Sequence, residues 1–244
     1  MSLVMLSLAA ICLIVFVAAC VQAITGFGYA LVAIPLLTVV VDPPTAVVGA
    51  GLAGLSLSVV VIVREQMHVR WQPALTLIGT GVLGLPIGLA LLAFLSDRAL
   101  RLLIAAVVLV CTVQVWRAVR LPEHPAVVVG AGFVSGVLST STGTNGPPLV
   151  AAFQAMGYDP RKFRATLAAV FVGSGLLGIA GFAVAGQITR HVLELALVGA
   201  PAAALGWFAG NTLFVRIDGT RFRHVVLAGL VASSFISVIR ALRG

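Results

Sequence analysis

Long apolar runs alternate with short polar clusters along the whole chain. The runs cover residues 2–22, 29–41, 45–63, 73–95, 99–118, 126–139, 147–157, 163–186, 192–215 and 220–240, and nearly every Arg, Asp and Glu falls between them. The longer runs have roughly 17 to 25 residues, the length a helix rising about 1.5 Å per residue needs to cross about 30 Å of hydrocarbon. None shows the period-2 alternation of a transmembrane barrel strand, and in lipid only closed barrels and helices satisfy their own backbone polar groups. The pattern therefore predicts an all-α, polytopic integral membrane protein. Two pairs of runs read as single segments with a break inside, one at Thr25-Gly26-Phe27-Gly28 and one at Ser141-Thr142-Gly143-Thr144-Asn145-Gly146. Merging each pair leaves about eight hydrophobic segments.

The landmarks of the first half recur in the second, in the same order. At an offset of 117, Thr25-Gly26 falls on Thr142-Gly143 and Asp42-Pro43 on Asp159-Pro160; at 122, Leu83-Gly84 falls on Leu205-Gly206, Gly88 on Gly210 and Arg101 on Arg223, and Asp97 meets Asp218 at 121. This spacing predicts two homologous transmembrane repeats, residues 1–121 and 122–244. Each Asp-Pro corner sets an N-capping carboxylate before a proline at the first helical position, where a missing N–H costs nothing. Gly146-Pro147-Pro148 reads the same way, so a short helix is expected to start near Pro147. Gly84-x3-Gly88 and Gly206-x3-Gly210 offer small faces for close helix packing.

Charge suggests the orientation. If each broken segment enters and returns as a hairpin or re-entrant pair, Arg64, Arg70, Arg117, Arg120, Arg161, Lys162, Arg164, Arg216, Arg221 and Arg223 share one side, ten in all. Five remain opposite: Arg98, Arg101, Arg190, Arg240 and Arg243. A single crossing per broken segment gives seven to eight, with no bias. The positive-inside rule favours the first arrangement with its ten-charge side cytoplasmic, which makes the repeats inverted, a plan common among transporters.

Composition narrows the function. Hydrophobic residues make up 61% and charged residues 9%, too few charges to clothe a soluble domain, which has about 25%. The net charge of +8 does not point to nucleic acid, because the basic residues sit at helix ends and not along one stripe. Cys12, Cys20 and Cys111 lie inside apolar runs and form no disulfide framework or zinc pattern. Val17-Ala18-Ala19-Cys20 has the look of a lipoprotein cleavage box, yet no Lys or Arg precedes Arg64, so the first segment is expected to stay as a membrane helix. No His or carboxylate falls deep in an apolar run. His68, His124, His191 and His224 sit in or beside loops, and Glu194 near the start of its helix. The chain thus offers no candidate catalytic residues, metal ligands or cofactor site, and no buried proton relay of the Asp/Glu kind.

The breaks carry the candidate chemistry. Interrupting a membrane helix leaves N–H and C=O groups unpaired, at a cost of several kcal/mol each unless protein or a water-lined cavity shelters them. The helices that restart at Tyr29 and Pro147 aim N-termini at the breaks, and a helix N-terminus attracts anions. The candidate substrate-binding residues are Gln22, Thr25, Gly26, Phe27, Gly28, Ser141, Thr142, Gly143, Thr144, Asn145 and Gly146, a neutral but electropositive set that two paired breaks would enclose.

At these motifs the chain resembles the TauE/SafE family of bacterial sulfite exporters and sulfonate permeases. The resemblance is carried by Gly26-Phe27-Gly28-Tyr29-Ala30-Leu31-Val32-Ala33-Ile34-Pro35 in the first half. In the second it is carried by Gly143-Thr144-Asn145-Gly146-Pro147-Pro148 and Phe163-Arg164-Ala165-Thr166, so it spans both halves in order. Tyr29 and Ala30 stand where the family pattern has glycines. The resemblance implies a secondary transporter of a small organic or inorganic sulfur anion, lodged between the breaks, in the bacterial inner membrane. An anion channel and a non-transporting accessory protein are the alternatives. Lipid bilayer is the one other expected partner, and oligomeric state, coupling ion and direction of transport are not set by the sequence.

Overall fold

A computed structural model describes residues 2–117 and 124–214; the expected segment at 220–240 lies outside them. Nine α-helices are present among the described residues: α1 Ser2–Thr25, α2 Tyr29–Leu37, α3 Pro43–Glu65, α4 Trp71–Phe94, α5 Asp97–Arg117, α6 Pro125–Ser141, α7 Gly146–Ala155, α8 Pro160–Val184 and α9 Arg190–Phe214. No strand occurs among them. Five stretches are long and apolar enough to cross a membrane, Leu8–Thr25, Pro43–His68, Trp71–Phe94, Arg161–Val184 and Arg190–Thr212, with Pro125–Ser141 a shorter apolar helix. The protein is a multi-pass, all-α membrane protein.

Local chemistry sets the helix ends. Asp42 and Asp159 have nearly the same backbone angles (φ −64°, ψ 153° and φ −65°, ψ 157°) and accept hydrogen bonds from the Thr45 and Lys162 amides, each with proline next in the helix. Both breaks end their first helix on a left-handed glycine, Gly26 (φ 83°) and Gly143 (φ 66°), a conformation that costs other residues about 1–2 kcal/mol. The helices that restart are short. Nine residues of α2 and ten of α7 give roughly 13 and 15 Å at 1.5 Å per residue, about half of the hydrocarbon thickness. Of α2, Tyr29, Leu31, Val32, Ala33, Ile34, Pro35 and Leu37 are buried. It is a half-length helix inside the protein, not a full crossing.

The tightest packing crosses between the halves of the chain. α1 pairs with α9 and α4 with α6. Glycines allow it. A Cβ on Gly84 would collide with the Phe133 carbonyl, one on Gly136 with the Gly81 carbonyl, and one on Gly206 with the Phe16 carbonyl; on Gly210 it would lie 2.6 Å from the Cys20 carbonyl. Across the α4–α6 seam, Thr140 Oγ1 donates to the Leu85 carbonyl at 2.9 Å. The expected Gly-x3-Gly faces are therefore helix-packing faces. α3 meets α8, while α4 also meets α8 and α3 meets α9. Exchanging α1–α4 for α6–α9 carries this set of pairings onto itself.

Two apolar cores result. One joins side chains of α1, α2, α3, α5 and α9 with Leu92 of α4 and Phe182 of α8, and the other is built on α4, α6, α7 and α8; Phe27, in the first break, packs against both. Each core thus draws on the opposite half of the sequence, the first chiefly through α9 and the second through α4.

Candidate functional site

The two breaks meet. Gly143 lies so close to the Ile34 side chain that a Cβ would collide with it, and a Cβ on Gly146 would touch Phe27 Cδ2 at 3.6 Å. Between them is a cavity of about 70 Å³, walled by the breaks, by the start of α2 and by α3 and α8. Gln22, Phe27, Gly143, Thr144, Asn145 and Gly146 of the expected set line it. Five pairs of positions separated by 117 are both on its wall: Gln22 and Ser139, Phe27 and Thr144, Tyr29 and Gly146, Gly54 and Phe171, Ser58 and Gly175. Gly51, Gly54, Gly175 and Gly178 leave the room, and Phe27, Phe171, Phe182, Leu55 and Ile179 make the rest of the wall apolar. No lining side chain is charged.

Five expected residues do not line the cavity, and their hydrogen bonds show why. Thr25 Oγ1 donates to the Val21 carbonyl at 2.8 Å and accepts from the Phe27 and Gly28 amides at 3.2 and 3.0 Å. Its work is to cap the first break, which also removes those two N–H groups from any ligand. Gly28 lies against the Val21 side chain, and Gly26 carries the stem of Arg164, whose Cγ would be 3.1 Å from a Cβ. In the second break Ser141 Oγ donates to the Val137 carbonyl at 2.7 Å and Thr142 Oγ1 to the Leu138 carbonyl at 3.1 Å. Having given up its one proton, Thr142 accepts from Thr144 Oγ1 at 2.7 Å, so Thr144, although it lines the cavity, has no proton left for a ligand.

Open donors remain elsewhere. The first backbone bond of α2 runs from the Val32 amide to the Gly28 carbonyl, so the amides of Tyr29, Ala30 and Leu31 precede the helical ladder, and all three residues line the cavity. The Gln22 amide makes only a long 3.5 Å contact with Ser58 Oγ, whose own proton goes to the Gly54 carbonyl at 2.9 Å. Asn145 gives one amide hydrogen to Ser174 Oγ at 3.2 Å and keeps the other. Ser139 and Tyr29 lie on the wall with no side-chain hydrogen bond to the described residues. The other helix start is donor-poor, because Pro147 and Pro148 in the first turn of α7 have no N–H. The two helix starts therefore differ in chemistry, the first turn of α2 carrying amides where the first turn of α7 carries prolines.

Sequence reasoning passed over Tyr29, Ser58 and Ser139. Ser139 carried a usable signal, since it stands at the repeat offset from Gln22. Gly51 and Gly54, like Gly175 and Gly178, are three apart and share a helix face.

The fold and the cavity define a polytopic membrane protein with a neutral, donor-lined cavity between two interrupted helices. The family model described as "Sulfite exporter TauE/SafE" matches residues 11–236, and the chain belongs to that family. A curated relative from Cupriavidus necator, the "Probable sulfite/organosulfonate exporter TauE", is 28% identical over 235 residues, covering 90% of each chain. No solved structure matches the chain.

Proposed function

We propose that the protein is a secondary transporter of a small sulfur-containing anion, sulfite or an organosulfonate, across the bacterial cytoplasmic membrane. The anion binds in the cavity between the breaks. The observation that carries this reading is the donor set there: unladdered amides of α2, with Gln22, Ser139 and Asn145, around a cavity without a carboxylate. Anion binding by neutral donors suits transport, because no fixed cation holds the ion too tightly to leave. Family membership and the name of the relative supply the sulfur. The chain is built of two homologous repeats, and alternating access arises from movement of the two apolar cores against each other about the cavity, with Phe27 at their junction.

The test is Gln22→Ala and Asn145→Ala in detergent, with sulfite and sulfonate binding followed by calorimetry and stability by thermal melt. A hydrogen bond to a charged group is worth about 1.5–3 kcal/mol, so each variant is expected to bind about 10- to 150-fold more weakly. Ligand-free melting should stay close to wild type, and the rise in melting temperature with ligand should shrink. Unchanged affinity together with lowered melting at both positions would show a packing role and overturn the site.

A further inference from the structure

We propose that the protein binds one anionic phospholipid where α3 passes to α4 and α7 to α8, the headgroup on Arg70 and Lys162 and an acyl chain between α4, α6 and α7. Two hollows are joined there. One, of about 600 Å³, is walled by Arg70, Trp71, Tyr158, Asp159 and Lys162 among others. The second, of about 320 Å³, is walled mainly by apolar groups, with Val127, Val128, Val129 and Ala152 among them. Gln72, Pro73 and Met156 line both, so the polar hollow opens into the apolar one. The order along the helices matches a lipid lying in a bilayer. On α4 the polar hollow takes Trp71 at the helix start, and the apolar one reaches Thr76, about 7.5 Å further along. On α7 the apolar hollow takes Ala152, and the polar one begins where that helix has ended, at Gly157 and Tyr158. The charged mouth is thus at helix ends and the apolar groove runs towards the membrane interior.

Charge selects an anion for the mouth. Asp159 is on the wall, but Lys162 pairs with it at 2.8 Å. The Arg70 side chain has no hydrogen bond or ion pair among the described residues, so its guanidinium is the uncompensated charge, with a fork that suits a phosphate. Trp71 is 51% exposed beside it, and Tyr158 is held by stacking on Phe153 at 5.5 Å; such amphipathic rings belong at headgroup depth. The corner does not need this chemistry to fold. At the repeat offset of 117 its capping aspartate is kept as Asp42, while Val41 and Thr45 stand in place of Tyr158 and Lys162.

The experiment adds phosphatidylglycerol, phosphatidylcholine or glycerol phosphate to the delipidated full-length protein in detergent and reads binding by native mass spectrometry. Phosphatidylglycerol is expected to be retained one to one, about fivefold or more tighter than phosphatidylcholine, the scale of one basic residue at a lipid headgroup. Glycerol phosphate, without chains, should not be retained at the same concentration. Arg70→Gln is expected to remove most of the preference for phosphatidylglycerol with melting unchanged. Val129→Trp, at a position 47% exposed, fills the groove and should weaken both lipids while keeping their ratio. The wild-type comparison needs no variant and decides the headgroup by itself. Equal affinity for the two lipids, an unchanged preference in Arg70→Gln, full lipid binding in Val129→Trp, or glycerol phosphate bound as tightly as lipid would each overturn the proposal. So would a dimer that excludes lipid, which gives the groove to a second copy, or binding of neither lipid. None of these outcomes touches the transport reading.

Discussion

At the scale of single residues, the breaks divide side chains that hold the backbone from side chains that are free to hold a ligand. Thr25 is on the first side. One oxygen caps two amides, so Thr25→Ala should destabilise the protein by about 0.5–2 kcal/mol, as loss of a helix cap does, and leave anion affinity within about twofold. A thermal melt alongside calorimetry checks both, and a large loss of affinity with normal melting would contradict the assignment. Glu194 gives a contrasting case. Its carboxylate is exposed, accepts from Arg190 Nε at 2.8 Å and does not line the cavity. Glu194→Gln is expected to leave sulfite binding within a few-fold of wild type. The division was only partly legible in the sequence. Gln22, Phe27 and the run from Gly143 to Gly146 stood out because a glycine-rich interruption in an apolar run must be sheltered. Thr25, Ser141 and Thr142 misled, because a hydroxyl near a helix end has a carbonyl of its own helix four residues back as a ready partner. Composition does not reveal which partner wins. Pro147 and Pro148 were legible as a helix start, and their lack of N–H was the same fact seen from the ligand's side.

At the scale of elements, corners and seams behave as their local chemistry demands. Lys162 sits 2.8 Å from Asp159, and its side-chain hydrogen bond, with help from its amide, holds the Asp159 carboxyl below its ordinary range. A carboxylate with a lowered folded-state pKa stabilises above its unfolded value, about 3.9, and that contribution fades as pH falls through the folded value. Melting temperature should therefore drop with acidification below about pH 4, and Asp159→Asn should flatten that limb. The glycine seams give a sharper test. On α6, a Cβ at Gly136 would collide with the Gly81 carbonyl, while at Gly130 it would meet nothing within 4 Å. Gly136→Ala should then impair folding, whereas Gly130→Ala should be neutral or gain up to about 1 kcal/mol from helix propensity. Melts of the two variants, made less than two turns apart on one helix, separate packing from propensity. The extents of the helices were readable from apolar runs and Asp-Pro corners. The pairing of α1 with α9 and of α4 with α6 was not, because a Gly-x3-Gly face says that a helix approaches closely but not which one.

For the whole molecule, the orientation predicted from charge places segments 64–70, 117–124, 158–164 and 216–223 in the cytoplasm and both termini outside; residues 118–123 and 216–223 lie outside the described residues. Single cysteines in a Cys-free variant, probed with an impermeant reagent, should label near the C-terminus and not at 64–70; the opposite pattern would contradict the inverted arrangement. The exchange of helices between halves bears on how such a chain comes to be assembled. As the polypeptide leaves the ribosome, α1 enters the bilayer well before its partner α9 exists, and α4 waits for α6. Until then the narrow faces at Phe16 and Cys20 on α1, and at Gly81, Gly84 and Gly88 on α4, are open to lipid, which cannot fill them as glycine does. Neither half can finish its own core, so ordering of the cavity has to wait for the last described helix to be synthesised. Two fragments cut between residues 117 and 124 and made together in one cell should then recover sulfite binding that neither regains alone.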